Sequence, residues 1–149
     1  VALPNTMAEL YDAAGGQVIA SGATFTDIDF SAAGIVDAGY TAVAGGNSIT
    51  VASAGRYRVT YRVTLEFQSG NSRSESEHQM TLNGGVVPGT FAAAYHRNGG
   101  TNKGTVTVTR VLDLDATDVI GVQSRDATGA ASVTMQTVAN GSTLSVEKL

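Results

Sequence analysis

The sequence predicts an all-β fold, an antiparallel two-sheet sandwich or jelly roll of about nine or ten strands, on three observations. Residues 56–67, RYRVTYRVTLEF, alternate without a break. Tyr57, Val59, Tyr61, Val63, Leu65 and Phe67 hold one parity, and Arg56, Arg58, Thr60, Arg62, Thr64 and Glu66 the other. Eighteen glycines stand against two prolines amid abundant Thr, Val and Ala, a composition of short strands and tight turns. Branched side chains suit the pleat, and glycine supplies the positive φ that turns need. Turn signals recur about every 8–12 residues, and no segment carries the period of an amphipathic helix.

Along the chain, residues 1–6 contain Pro4 and no periodicity, which predicts a short arm ahead of a first strand at Met7–Tyr11. Gly15 and Gly16 make a turn, after which residues 17–20 continue the pairing. FTDIDF at 25–30 alternates imperfectly and reads as an edge strand with Asp27 and Asp29 outward, a charge pattern that discourages edge-to-edge aggregation. A turn at Gly45, Gly46 and Asn47 leads to a brief strand at 48–52, and residues 53–55 lead into the long alternating strand.

The odd positions of that strand are its core side, because a slip of one residue would exchange all six apolar groups for the polar ones. Their burial contributes about 1.5–3 kcal/mol each. Residues 68–77, QSGNSRSESE, show no apolar period and read as a polar loop, mobile or a contact surface. Asn83, Gly84 and Gly85 then join a strand carrying Met80 and Leu82 to a short one carrying Val86 and Val87, a strong hairpin signal. A strand at 91–96, a glycine-rich turn at 98–104 and a second long strand at 104–114 follow, the last interrupted on its apolar face by Arg110. A turn at 115–118, a strand at 119–124, a turn at 125–131, a strand at 133–138 and a closing strand at 142–149 complete the prediction.

A chain of 149 residues is long enough for one hydrophobic core, so residues 7–149 are expected to form a single domain. The net charge of −4 with only Lys103 and Lys148 as lysines argues against a nucleic-acid partner, since phosphate binding draws on clustered cations. Cysteine is absent, so stability must come from packing or assembly rather than disulfides. No apolar run reaches the roughly 18 residues of a membrane helix. VALPNTMAEL lacks the basic start and apolar core of a signal peptide, so no membrane partner and no export by that route are expected.

Three segments resemble the jelly rolls of the C1q-like and tumour-necrosis-factor-like superfamily. LDLDATDVIGV at 112–122 is similar to its strand, acidic turn and strand; GRYRVTYRVTLEF resembles its central G-x-Y-x-V strand; GSTLSVEKL is similar to the closing strand of its bacterial and phage members. The resemblance implies a homotrimer in which the long strand lies between the last strand and the strand at 104–114, its polar face toward neighbouring subunits. Arg58 and Arg62 are then expected to pair with Glu147 or Asp113 within or across the trimer, as a guanidinium fork suits a carboxylate. Read without the resemblance, the same face is a solvated surface whose charges keep the chain soluble, each pair contributing about 0–1 kcal/mol.

Candidate chemistry is sparse. His78 and His96 have no zinc-type spacing and no nearby G-x-S-x-G element, so they are expected near the surface or loops. Asp113, Asp115 and Asp118 are the nearest approach to a metal cluster but lack EF-hand spacing. The glycine pairs are turns, since none sits between a strand and a helix. No catalytic residue, cofactor or metal site is therefore expected.

The expected role is that of a non-enzymatic virion protein, a trimeric decoration or cement protein on the outside of a phage capsid, assembled in the host cytoplasm. Val1, Ala2, Leu3, Pro4, Asn5 and Thr6 are the expected contacts with the major capsid protein. The loop at 68–77 or the turn at 98–104 is expected to face outward or meet adjacent trimers. The alternative is a receptor- or glycan-binding head, such as a fibre tip. The sequence contains neither a collagen Gly-X-Y run nor heptads that would form a stalk, which favours decoration.

Overall fold

The computed structural model describes residues 5–19, 21–22, 24–70, 72–97, 102–127 and 133–149. They form fourteen strands and, among the described residues, no helix. In chain order the first seven are β1 (Met7–Tyr11), β2 (Val18–Ile19), β3 (Thr26–Asp27), β4 (Ala32–Val36), β5 (Tyr40–Thr41), β6 (Ser48–Val51) and β7 (Gly55–Ser69). The second seven are β8 (Ser74–Leu82), β9 (Gly85–Val86), β10 (Ala92–His96), β11 (Gly104–Leu114), β12 (Val119–Asp126), β13 (Thr134–Thr137) and β14 (Thr143–Lys148).

All strand pairs are antiparallel and build two sheets. The first runs β2-β13-β7-β14-β1-β4, with β11 on the other edge of β7. The second runs β10-β8-β12-β6-β5, with β3 on β12 and β9 on β8. β7 is the centre of the first sheet because it is long enough to take three partners. β11 covers one edge from Gly55 to Leu65, while β14 and β13 lie end to end on the other. The crossed connections between the two layers give a jelly-roll sandwich.

The core is the gap between the sheets. Tyr57, Val59, Tyr61, Val63, Leu65 and Phe67 are all buried there, as are Leu10 and Ala8 of β1 and Leu144 and Val146 of β14. Ile49, Val51, Met80, Ile120 and Val122 meet them from the second sheet. The two buried tyrosines keep their hydroxyls satisfied: Tyr57 donates to the Ser53 carbonyl at 2.7 Å and Tyr61 to the Thr90 carbonyl at 2.6 Å. The β8–β9 hairpin turns on Asn83 and Gly84, whose φ values of 51° and 79° are the left-handed pair that a two-residue hairpin requires.

Three stretches differ from expectation. The loop expected over 68–77 is mostly strand, because β7 continues to Ser69 and β8 begins at Ser74, with Ser74 and Ser76 facing inward. Likewise β12 runs through Arg125 and Asp126, which were expected in a turn. β4 and β5 have no counterpart in the sequence reading; β4 pairs β1 across a register shift between Ala8 and Leu10. Residues 98–101 of the glycine-rich turn, and 128–131 of the turn expected over 125–131, lie outside the described residues.

Candidate functional site

The outward face of the first sheet carries the residues singled out as an interface. Strand register decides who meets whom. Arg58 lies opposite Glu147 on β14, and its Nη1 reaches Glu147 Oε2 at 3.0 Å. Asp113 lies opposite Arg56, not Arg58 or Arg62, and it accepts from Arg56 Nε at 3.1 Å. Arg62 lies opposite Thr107 and Thr143, neither of which is a carboxylate. Its fork instead donates to the carbonyls of Asn140 and Gly141, each at 3.2 Å.

Between these cations, threonine hydroxyls bond across strands: Thr60 with Thr109 at 2.9 Å and Thr64 with Thr105 at 2.8 Å. Each of the three arginines of β7 thus has acceptors within its own chain. Of the residues expected to meet a capsid, Val1, Ala2, Leu3 and Pro4 lie outside the described residues. Asn5 and Thr6 rest on the body: Asn5 Nδ2 donates to Glu147 Oε1 at 3.3 Å, and the Thr6 carbonyl accepts from Lys148 N at 2.9 Å.

The two histidines overturn the expectation of a surface position, since His78 and His96 are fully buried between the sheets. They face each other across one serine. Ser76 Oγ is 2.9 Å from His78 Nε2 and 2.9 Å from His96 Nε2, while His78 Nδ1 is 2.7 Å from Ser124 Oγ and His96 Nδ1 is 3.2 Å from the Asn102 carbonyl. A carbonyl can only accept, so with both rings neutral it fixes the direction of every bond in the chain. His96 donates from Nδ1 to Asn102, Ser76 donates to His96 Nε2, His78 donates from Nε2 to Ser76, and Ser124 donates to His78 Nδ1.

His78 is neutral in that arrangement. Burial, reinforced by the neighbouring His96, pushes His78 down from 6.5 to about 3. Ser74 and Asp126 form a further buried hydrogen bond beside them, and Phe67 meets the His96 ring edge-on at 5.9 Å. Gly104 makes room for that ring, because a Cβ there would come within 2.7 Å of His96 Cε1. The signal available in the sequence was parity: Ser74, Ser76 and His78 share the parity of Met80, so the inward face of β8 extends back through polar residues.

At the opposite end of β7 a cleft of about 360 Å³ opens beside Tyr40, Tyr57, Ser53 and Lys148. Tyr40 and Tyr57 stand perpendicular with centroids 6.2 Å apart, and the Lys148 ammonium lies 5.6 Å from the Tyr57 centroid. Nothing in the sequence pattern marked this cleft. Among the described residues, no three His, Asp or Glu side chains are grouped to hold a metal ion, and no helix is long and apolar enough to cross a membrane. Asp118, from the acidic turn, instead ties that turn, accepting from Asp115 N and Asn83 Nδ2, each at 2.8 Å.

The strand order and register define a jelly roll of the tumour-necrosis-factor type. Crystal structures of murine APRIL share that fold with this chain. Those at pH 8.5 and pH 8.0 superpose with TM-scores of 0.59 and 0.60 at 16% identity, covering 98% of this chain and 100% of the chain in each crystal structure. The pH 5.0 structure gives 0.58 at 15% identity over the same shares. No protein-family model and no curated protein matches the sequence.

Proposed function

We propose that the chain is a non-enzymatic structural protein that assembles as a homotrimer and decorates the outside of a phage capsid, stabilising contacts between capsomers. The observation that carries the assembly is the outward face of β7. Its three arginines take acceptors from β11, β14 and the 140–141 turn of the same chain. A sister subunit can cover such a face without stranding a bare charge, which is the costly event when ions are buried. The resemblance to C1q- and tumour-necrosis-factor-like proteins supports a trimer, and residues 1–6 with one rim of loops are the proposed contact with the major capsid protein. Binding only the expanded shell stabilises that shell by mass action.

The first test is sedimentation of the purified chain beside Thr60→Arg, which sets a long cation in the middle of the face. The wild type is expected to sediment as a trimer and the variant as a folded monomer. A monomeric wild type, or a variant that stays trimeric, removes the face from the assembly. The second test deletes residues 1–6 and measures occupancy on capsids, with loss of occupancy expected. Unchanged occupancy excludes the arm.

A further inference from the structure

The Lys148 ammonium is held by neutral acceptors. It donates to Ser53 Oγ at 2.8 Å and to the Ala54 carbonyl at 3.2 Å, and lies over the Tyr57 ring. The position is built by its surroundings: a Cβ on Gly55 would come within 2.8 Å of Lys148 Cε, so the lysine stem crosses the strand where no side chain stands. Lys148 makes none of the ion pairs found among the described residues, which join Arg56 to Asp113, Arg58 to Glu147, Lys103 to Glu66 and Arg125 to Glu77. No carboxylate side chain lines the cleft into which it faces.

An ammonium has three donors, and two are in use here. The cleft, about 360 Å³, falls in the range of small-molecule sites. Its walls combine the Tyr40 ring with the polar groups of Ser53, Thr6 and Asn5, and Leu149 lines it beside Lys148. A cation beside a flat ring and scattered hydrogen-bonding groups suits a ligand with one carboxylate on a compact hydroxylated body. A dianion is disfavoured, because one ammonium already shared with two oxygens neutralises a single charge.

We propose that this cleft binds an acidic monosaccharide unit, its carboxylate at Lys148 and its ring against Tyr40. This site stands independently of the assembly proposed above, since it uses the end of β7 and β14 rather than the outward face of the sheet.

The test is a titration of the full chain with sodium glucuronate, N-acetylneuraminate, glucose and inorganic phosphate, followed through the NMR signals of the Tyr40 ring. At least one acidic sugar is expected to give saturable shifts with a midpoint in about the millimolar range, with glucose and phosphate giving none. Lys148→Met is expected to weaken the midpoint at least about tenfold, the effect of losing roughly 1.4 kcal/mol. Ala38→Trp, which enlarges a lining side chain with Lys148 intact, is expected to abolish the shifts and guards against a folding defect in the lysine variant. No saturable shift with either acidic sugar, an equal response to phosphate, or full binding by both variants overturns the proposal.

Discussion

Acidification probes the buried histidine chain directly. His78 is held neutral in the folded protein, with its proton affinity pushed down from 6.5 to about 3 by burial and then by His96. His96 of β10 faces it across Ser76. Below pH 6.5 the unfolded chain takes up a proton at this position that the folded chain refuses, so folding stability falls as pH falls, and levels off near pH 3. Each pH unit within that window costs about 1.36 kcal/mol. Between pH 7 and about pH 4.5 the loss from this one residue is about 2.5 kcal/mol.

Carboxylates titrate over the same range, so the contribution of His78 must be isolated as a difference. Urea denaturation of the wild type and of His78→Gln, at matched protein concentration and at both pH values, provides it. The variant is expected to be less stable at pH 7, by about 1–3 kcal/mol for the disturbed hydrogen bonds, but to lose about 2.5 kcal/mol less than the wild type on acidification. Equal losses in the two proteins would show that His78 titrates as it does in the unfolded chain, and would refute the assignment of neutral tautomers.

Two further substitutions test the surroundings of that chain and the core. Gly104→Ala places a methyl 2.7 Å from His96 Cε1 and 3.0 Å from Ala94 Cβ, so the ring must shift. Thermal melting is expected to show a loss of about 1–3 kcal/mol, and an unchanged melting temperature would mean that β11 moves aside freely. Tyr61→Phe leaves the ring in place but removes the donor to the Thr90 carbonyl, a buried bond of 2.6 Å. Denaturant titration is expected to show about 1–3 kcal/mol of destabilisation, whereas a loss within error would argue that the carbonyl finds another donor.

What could be read from the sequence follows from where the apolar groups are. β7, β11 and β1 alternate because one side of each faces the other sheet, so their inward residues, and the limits of β1 and β11, were legible as a period of two. β4, with the sequence AAGIV, lies at a sheet edge with Ile35 and Val36 exposed, and small residues give no alternation to detect. The start of β8 was hidden for the opposite reason. Its inward positions are Ser74, Ser76 and His78, so a buried face looked like a polar loop.

The candidate site divides in the same way. Arg58 and Glu147 could be matched from the order of strands that the resemblance implied, because their contact is between adjacent strands. The partners of Asp113 and Arg62 depend on register, and register is not fixed by sequence pattern alone. The serine that joins two histidines, and the cleft beside Lys148, depend on three or more segments meeting in space.

The position of β7 also bears on how the chain can be made. Its hydrogen-bonded partners, β11, β13 and β14, all lie downstream of it, and β1 pairs with β14 from the far end of the chain. A polypeptide emerging from the ribosome therefore holds its longest strand, with six apolar side chains on one face, without an edge partner until more than thirty further residues have been added, and completes that sheet only when β14 arrives. Such late closure makes folding slow and the nascent chain prone to clumping, so expression at reduced translation rate or with chaperones present should raise the yield of native protein.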